Sequence, residues 1–224
     1  MNLMPSIGVY TPFNVTQYQK IFCYSLLFIS GIISTAAHWH ATAWPISLLG
    51  FFGLIYALYQ IDELNLSPYI MGLAWGLGYY FSACHWIITP IKTVAHLPIH
   101  FALFLSALFI CICAQLPAFT LYLAQKLRTW LPLTGALILP WILLEWLCTH
   151  SSLTFPWTLI GYLYVQAPWA SLAPYGGVFA VGAASLIFCT WLVQLYCSKR
   201  KQLIILKLLM LLTLIYALNG LPLW

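Results

Sequence analysis

Charge is what this sequence has least of. Asp62, Glu63 and Glu145 are its only acidic residues, and charged side chains make up 5% of 224 residues. A soluble domain hydrates its surface with about 25% charged residues. A water-facing globule of this length is therefore excluded. The basic residues give a net charge of +5, but they lie singly between apolar runs, apart from Lys199-Arg200-Lys201. Charges in short loops between membrane spans have that pattern, whereas a nucleic-acid surface gathers its cations on one face. No nucleic-acid partner is expected.

Other signatures are missing too. Seven cysteines is an odd number, most lie inside apolar runs, and none sits at a spacing that suits zinc or a disulfide framework. Cys111 and Cys113 would point to separated faces of a helix. The serines Ser151, Ser152 and Ser171 lack the Gly-x-Ser-x-Gly elbow, and no aspartate stands ready to orient a base. His96 and His100 are four apart, but Pro98 between them marks a helix start, so His96 precedes the helix. His38 and His40 flank Trp39 in a loop of interfacial character, and His85 lies in a Trp-rich run where it should bond a neighbour. No metal and no cofactor are expected.

What is present is apolar sequence, 63% of the chain, with a mean hydropathy of +0.95. A helix needs about 20 apolar residues to cross a bilayer. Seven runs qualify as candidates: Ile21 to Ala37, Pro45 to Tyr59, Ile70 to Thr89, Ile99 to Ala124, Leu131 to Leu147, Pro174 to Tyr196 and Leu203 to Leu218. They do not alternate apolar with polar residues, as barrel strands would. The fold class expected is all-α, a polytopic transmembrane helix bundle of about seven spans, with residues 1–224 forming a single domain. The first run, behind the polar leader Met1 to Gln19, reads as an uncleaved anchor. Lys20, Lys126, Arg128 and Lys199 to Lys201 fall on one side of such a bundle and Lys92 on the other. The positive-inside rule then places the N-terminus in the cytoplasm and the C-terminus outside. The piece between the fifth and sixth runs, Cys148 to Ala173, holds Trp157, Tyr162, Tyr164 and Trp169, as a segment lying at the interface would.

Glu145 is the one acid inside a candidate span. A carboxylate at mid-membrane costs on the order of 3 kcal/mol on insertion scales, less near a helix end. Glu145 lies toward the outer end of its run. It is expected to accept hydrogen bonds from a Trp or Tyr of a neighbouring span, or from freed amides of the next segment; a catalytic or ion-pathway role is the competing reading. Gly72, Gly76 and Gly78, and the run from Gly176 to Ala184, are expected to let helices approach closely.

Several stretches resemble one family. GLAWGLGYYFSACHWI (Gly72 to Ile87) is similar to the third helix of apolipoprotein N-acyltransferases. EWLCTHSSLTFPWTLIGY (Glu145 to Tyr162) resembles their glutamate-bearing helix end with its Phe-Pro-Trp and Gly-Tyr. LAPYGGVFAVGAASL (Leu172 to Leu186) and Ala43-Trp44-Pro45 fit the same pattern in the same order. The resemblance implies a multi-pass protein of the bacterial inner membrane whose membrane part positions phospholipid and lipoprotein. In the family a periplasmic nitrilase-like domain does the chemistry, through a glutamate base, a lysine and a cysteine nucleophile that carries the acyl chain. No residue here matches that Glu-Lys-Cys set, and the chain stops at Trp224, where the family would begin that domain.

Three implications follow from the resemblance. No catalytic residue is expected in these residues. A substrate platform is expected at Glu145, Phe155, Pro156, Trp157, Gly161, Tyr162, Trp75 and Trp86. The partners expected are membrane phospholipid, a diacylated lipoprotein and a separately encoded nitrilase-like subunit. The competing readings are a degenerate remnant and a non-catalytic lipid-binding or transport protein. Cys148, Thr149 and His150 stand where the family often has Arg, Gly and Trp, which removes a basic neighbour of Glu145.

Overall fold

A computed structural model describes residues 17–151, 156–198 and 201–219. Among them the chain is helical, with no β-strand. The main elements are α1 (Gln17–Ser34), α2 (Ala36–Trp39), α3 (Trp44–Tyr59), α4 (Ile61–Leu64), α5 (Pro68–Cys84) and α6 (Ile88–Thr93). They continue as α7 (Ile99–Cys113), α8 (Gln115–Leu127), α9 (Leu133–His150), α10 (Ala173–Cys197) and α11 (Lys201–Asn219). Short 3-10 turns cover His85–Ile87, Pro156–Thr158, Ile160–Tyr164 and Pro168–Leu172.

All seven expected runs fall in helical structure, but among the described residues five stretches are long and apolar enough to cross a membrane: Gln17–Trp39, Ala41–Tyr59, Ile99–Leu127, Leu133–His150 and Pro168–Cys197. The third expected run is not among them. Its regular part, α5, has 17 residues, which at 1.5 Å per residue reaches about 25 Å, short of a hydrocarbon core of about 30 Å. Beyond Cys84 the helix tightens into a 3-10 turn at His85–Ile87. The last run, α11, carries Lys201 and Lys207 in its first two turns and is not among the five either. His96 lies before α7, which starts at Ile99 behind Pro98, as its spacing predicts.

Lipid tails are as apolar as leucine, so helices in a membrane associate through close packing and not by escaping solvent. The small residues show where this happens. Gly31 of α1 lies against the Trp75 carbonyl of α5, and Gly78 of α5 lies against the Phe28 carbonyl of α1. Gly72 and Gly76, one helical turn apart, seat Pro117 of α8 and Ala114 just before it against α5. Thus α5 is clamped between α1 and α8 and buries Met71, Trp75, Tyr79 and Tyr80, with Trp75 packed on Phe51 of α3 and Trp141 of α9. The glycine run in α10 behaves differently at its start. Gly177 takes φ +62, a left-handed conformation that breaks the helix there, while Gly182 packs on Ile160 as expected.

The segment after α9 divides its aromatics. Trp157 and Tyr162 stay exposed, whereas the later part re-enters the bundle. Tyr164 and Trp169 are fully buried, with Ile160 and Leu163 beside them. Trp169 packs edge-on against Trp44 at the start of α3 and donates its Nε1–H to Ser185 Oγ of α10 at 2.7 Å. Its apolar residues were available to the interface, but the cleft between α3 and α10 offers them more contact. At the far end of α3, the Arg128 guanidinium donates to the Leu58 carbonyl at 3.0 Å. A cation at a helix C-terminus complements the dipole, so this residue holds structure as well as marking a loop.

Candidate functional site

Glu145 lies in the fourth turn of α9 and is 4% exposed. Its Oε1 accepts two hydrogen bonds, from Trp141 Nε1–H one turn earlier at 3.1 Å and from the backbone N–H of Ile160 at 3.0 Å. The amide partner is of the expected kind; the Trp belongs to the same helix and not to a neighbouring span. The effect is to pin the end of α9 to the re-entrant segment, whose 3-10 turns leave such an N–H without a helical partner.

A second pin comes from α5. Tyr79 stacks on Trp75 with ring centroids 5.0 Å apart and donates its O–H to the Thr158 carbonyl at 3.0 Å. A carbonyl only accepts, so Tyr79 has given away its one proton. The contact between its oxygen and His38 Nε2 at 3.3 Å therefore requires the imidazole to donate from Nε2. Below these groups, the Nε1 of Trp75 and the hydroxyl of Tyr164 are buried without a hydrogen-bond partner. Tyr79→Phe should leave the Thr158 carbonyl and the His38 N–H unsatisfied. The expected cost is about 1–3 kcal/mol, measured as a lowered thermal midpoint in detergent together with a changed Trp emission.

Between the pinned segment and the ends of α2 and α5 lies a half-open cavity of about 220 Å³. Trp39 stacks on His85 at 5.3 Å, and Trp86 stacks on Trp157 at 5.4 Å. His38, Ser82 and Thr158 also line its wall. Of the platform residues expected from sequence, Trp86 and Trp157 meet at this cavity, and Glu145 and Trp75 act from behind it. Pro156 opens the 3-10 turn that carries Trp157. Gly161 touches the Val178 carbonyl of α10, where a side chain would not fit. Tyr162 is half exposed and is not part of the cavity wall. Phe155 lies outside the described residues.

Sequence reasoning missed His38, Trp39, Tyr79 and His85 as parts of one site. A signal was there: the dipeptide His-Trp occurs at 38–39 and again at 85–86, each at the end of an apolar run. Among the described residues no group of three or more His, Cys, Asp or Glu is placed to hold a metal ion.

An all-helical bundle with membrane-spanning helices, a carboxylate-pinned re-entrant segment and an aromatic cavity at one end defines the class as a polytopic membrane domain. The family model for the apolipoprotein N-acyltransferase N-terminal domain matches residues 30–191, and the chain belongs to that family. It is 27% identical over 165 residues to the apolipoprotein N-acyltransferase of Vibrio cholerae, covering 71% of this chain and 32% of that protein. The enzyme of the same name from Ralstonia nicotianae is 29% identical over 167 residues, covering 72% of this chain and 32% of its own length. The one from Pasteurella multocida is 26% identical over 208 residues, covering 90% and 39%. The chain thus spans about a third of the length of the curated relatives it matches.

Proposed function

We propose that these residues form the membrane platform of a lipoprotein N-acylation system in the bacterial inner membrane. The platform presents phospholipid, and a diacylated lipoprotein, to a nitrilase-like catalytic domain that these residues do not supply. The observation that carries the reading is the doubly pinned segment Pro156–Tyr164. Two buried polar contacts, at Glu145 and at Tyr79, hold one short segment rigid at the end of the bundle, as a floor for substrate requires.

In this reading the bundle has seven spans within one domain, with α5 crossing as a short helix extended by its 3-10 turn and α11 as the last span. The cavity end faces the periplasm. Arg128 bonds the end of α3 opposite Trp44, which supports a reading in which that basic loop lies across the membrane from the cavity, on the cytoplasmic side. The N-terminus is then cytoplasmic and the C-terminus periplasmic, next to the floor.

The test is an acyl-transfer assay on this chain alone, purified into nanodiscs with phospholipid and a diacylated lipopeptide. No N-acylated product is expected, because no residue here fills the Glu-Lys-Cys roles. Robust transfer would overturn the platform reading.

A further inference from the structure

Tyr79 has one proton and two acceptors within reach of it. Its oxygen lies 3.0 Å from the Thr158 carbonyl and 3.3 Å from His38 Nε2. The carbonyl has one role only, but an imidazole has three protonation states. With both nitrogens protonated, or with a single proton on Nε2, His38 donates at this contact and the tyrosine proton goes to Thr158. With the single proton on Nδ1, Nε2 offers a lone pair, and the tyrosine proton can turn to His38 instead. The Thr158 carbonyl then loses its donor. Tyr79 is 3% exposed and Thr158 is buried as well, so solvent is a poor substitute there. His38 itself is exposed at the wall of the half-open cavity, where it exchanges protons with water.

We propose that His38 is a positioning residue for the floor, and that its protonation state decides whether Tyr79 holds the Pro156–Thr158 turn. That turn carries Trp157, which stacks on Trp86 at the cavity. An imidazolium keeps the pin closed, and a neutral ring lets it open for part of the time. Imidazoles change charge between about pH 5 and 8, so the pin is complete at the acid end and loosens as pH rises. The other titratable groups near His38 are differently engaged. Cys84 and His85 share the cavity wall, with His85 bonded through Nδ1 to the Ser82 carbonyl and stacked on Trp39. His40 follows on the same segment, at the end of α2. Glu145, the acid behind the floor, is committed to Trp141 Nε1–H and the Ile160 N–H. That second pin involves no imidazole, so it persists when the first opens, and the floor loosens at one end only. The switch acts on how the floor is held, whatever chemistry the floor serves.

The test is hydrogen exchange of the whole chain in detergent, read by mass spectrometry on peptides covering residues 156–164 and corrected for the intrinsic pH dependence of exchange. In the parent, protection should fall about fivefold, the weight of one hydrogen bond, between about pH 5.5 and about pH 8. His38→Lys only donates and should keep the acid value at both pH values. His38→Glu accepts through its carboxylate and should show the lower value at both. Nitrogen NMR of the labelled imidazole in the parent reads the same switch without a substitution: neutral His38 should populate the Nδ1–H tautomer. Protection that is flat with pH in the parent overturns the proposal. So does a fall that survives in His38→Lys, or a neutral His38 protonated wholly at Nε2.

Discussion

Glu145→Leu is expected to destabilise the bundle by about 2 kcal/mol or more, whereas Glu145→Gln stays within about 1 kcal/mol of the parent. Leucine leaves two buried donors, Trp141 Nε1–H and the Ile160 N–H, without the oxygen they share. Each unsatisfied buried donor costs about 1–3 kcal/mol. An opposing effect exists: leucine removes the penalty of burying a carboxylate near the membrane end, which is on the order of 3 kcal/mol at mid-bilayer and falls toward the interface. The geometry decides in favour of destabilisation, because Oε1 is doubly used and Glu145 lies near the end of α9. Glutamine keeps an acceptor at the same place. Thermal unfolding in detergent reads the stability, and hydrogen exchange at the Ile160 amide reads the pin, which should open in Leu and stay protected in Gln. A raised midpoint for Leu would mean that the carboxylate is a cost carried for chemistry and not for structure.

The second large effect concerns the α1–α5 crossing. Gly78→Ala should lower the thermal midpoint, and Gly78→Val should prevent α1 from seating at all. A Cβ at Gly78 would overlap the Phe28 carbonyl, and backbone cannot swing aside as a side chain can. Overpacking of this kind costs about 1–3 kcal/mol for small additions and more for branched ones. Gly135 in α9 is the control: a Cβ there meets only the Leu131 Cβ at 4.0 Å. Gly135→Ala should stabilise by up to about 1 kcal/mol through helix propensity. Equal behaviour of the two alanine variants would show that α1 and α5 do not approach so closely at Gly78.

Helices were easy to read from this sequence because long apolar runs have one structural outcome in a membrane, where backbone groups must bond internally. The small-residue contacts were equally legible at Gly72, Gly76 and Gly78, since close helix approach admits little else. Breaks inside the runs were not. The 3-10 turn at His85–Ile87 and the kink at Gly177 depend on what the neighbouring helices accept, and hydropathy averages over them. The stretch from Pro156 to Leu172 has the composition of an interfacial loop, and only the cleft between α3 and α10 makes burial of Tyr164 and Trp169 the better choice. Glu145 was conspicuous as a lone acid, and its amide partner followed from the chain breaking soon after it. The cavity was the least legible part, because it joins residues 38–39, 82–86 and 157–158 through a fold whose crossings periodicity does not specify.

The most direct test of the platform account is a graft. The matching membrane segment of the Vibrio cholerae apolipoprotein N-acyltransferase is replaced by residues 30–191 of this chain, and acyl transfer to a diacylated lipopeptide is measured in nanodiscs. The account predicts transfer by the folded graft, and its loss when the graft carries Glu145→Leu. A graft that folds and inserts normally yet transfers no acyl chain would contradict the claim that these residues form a working platform.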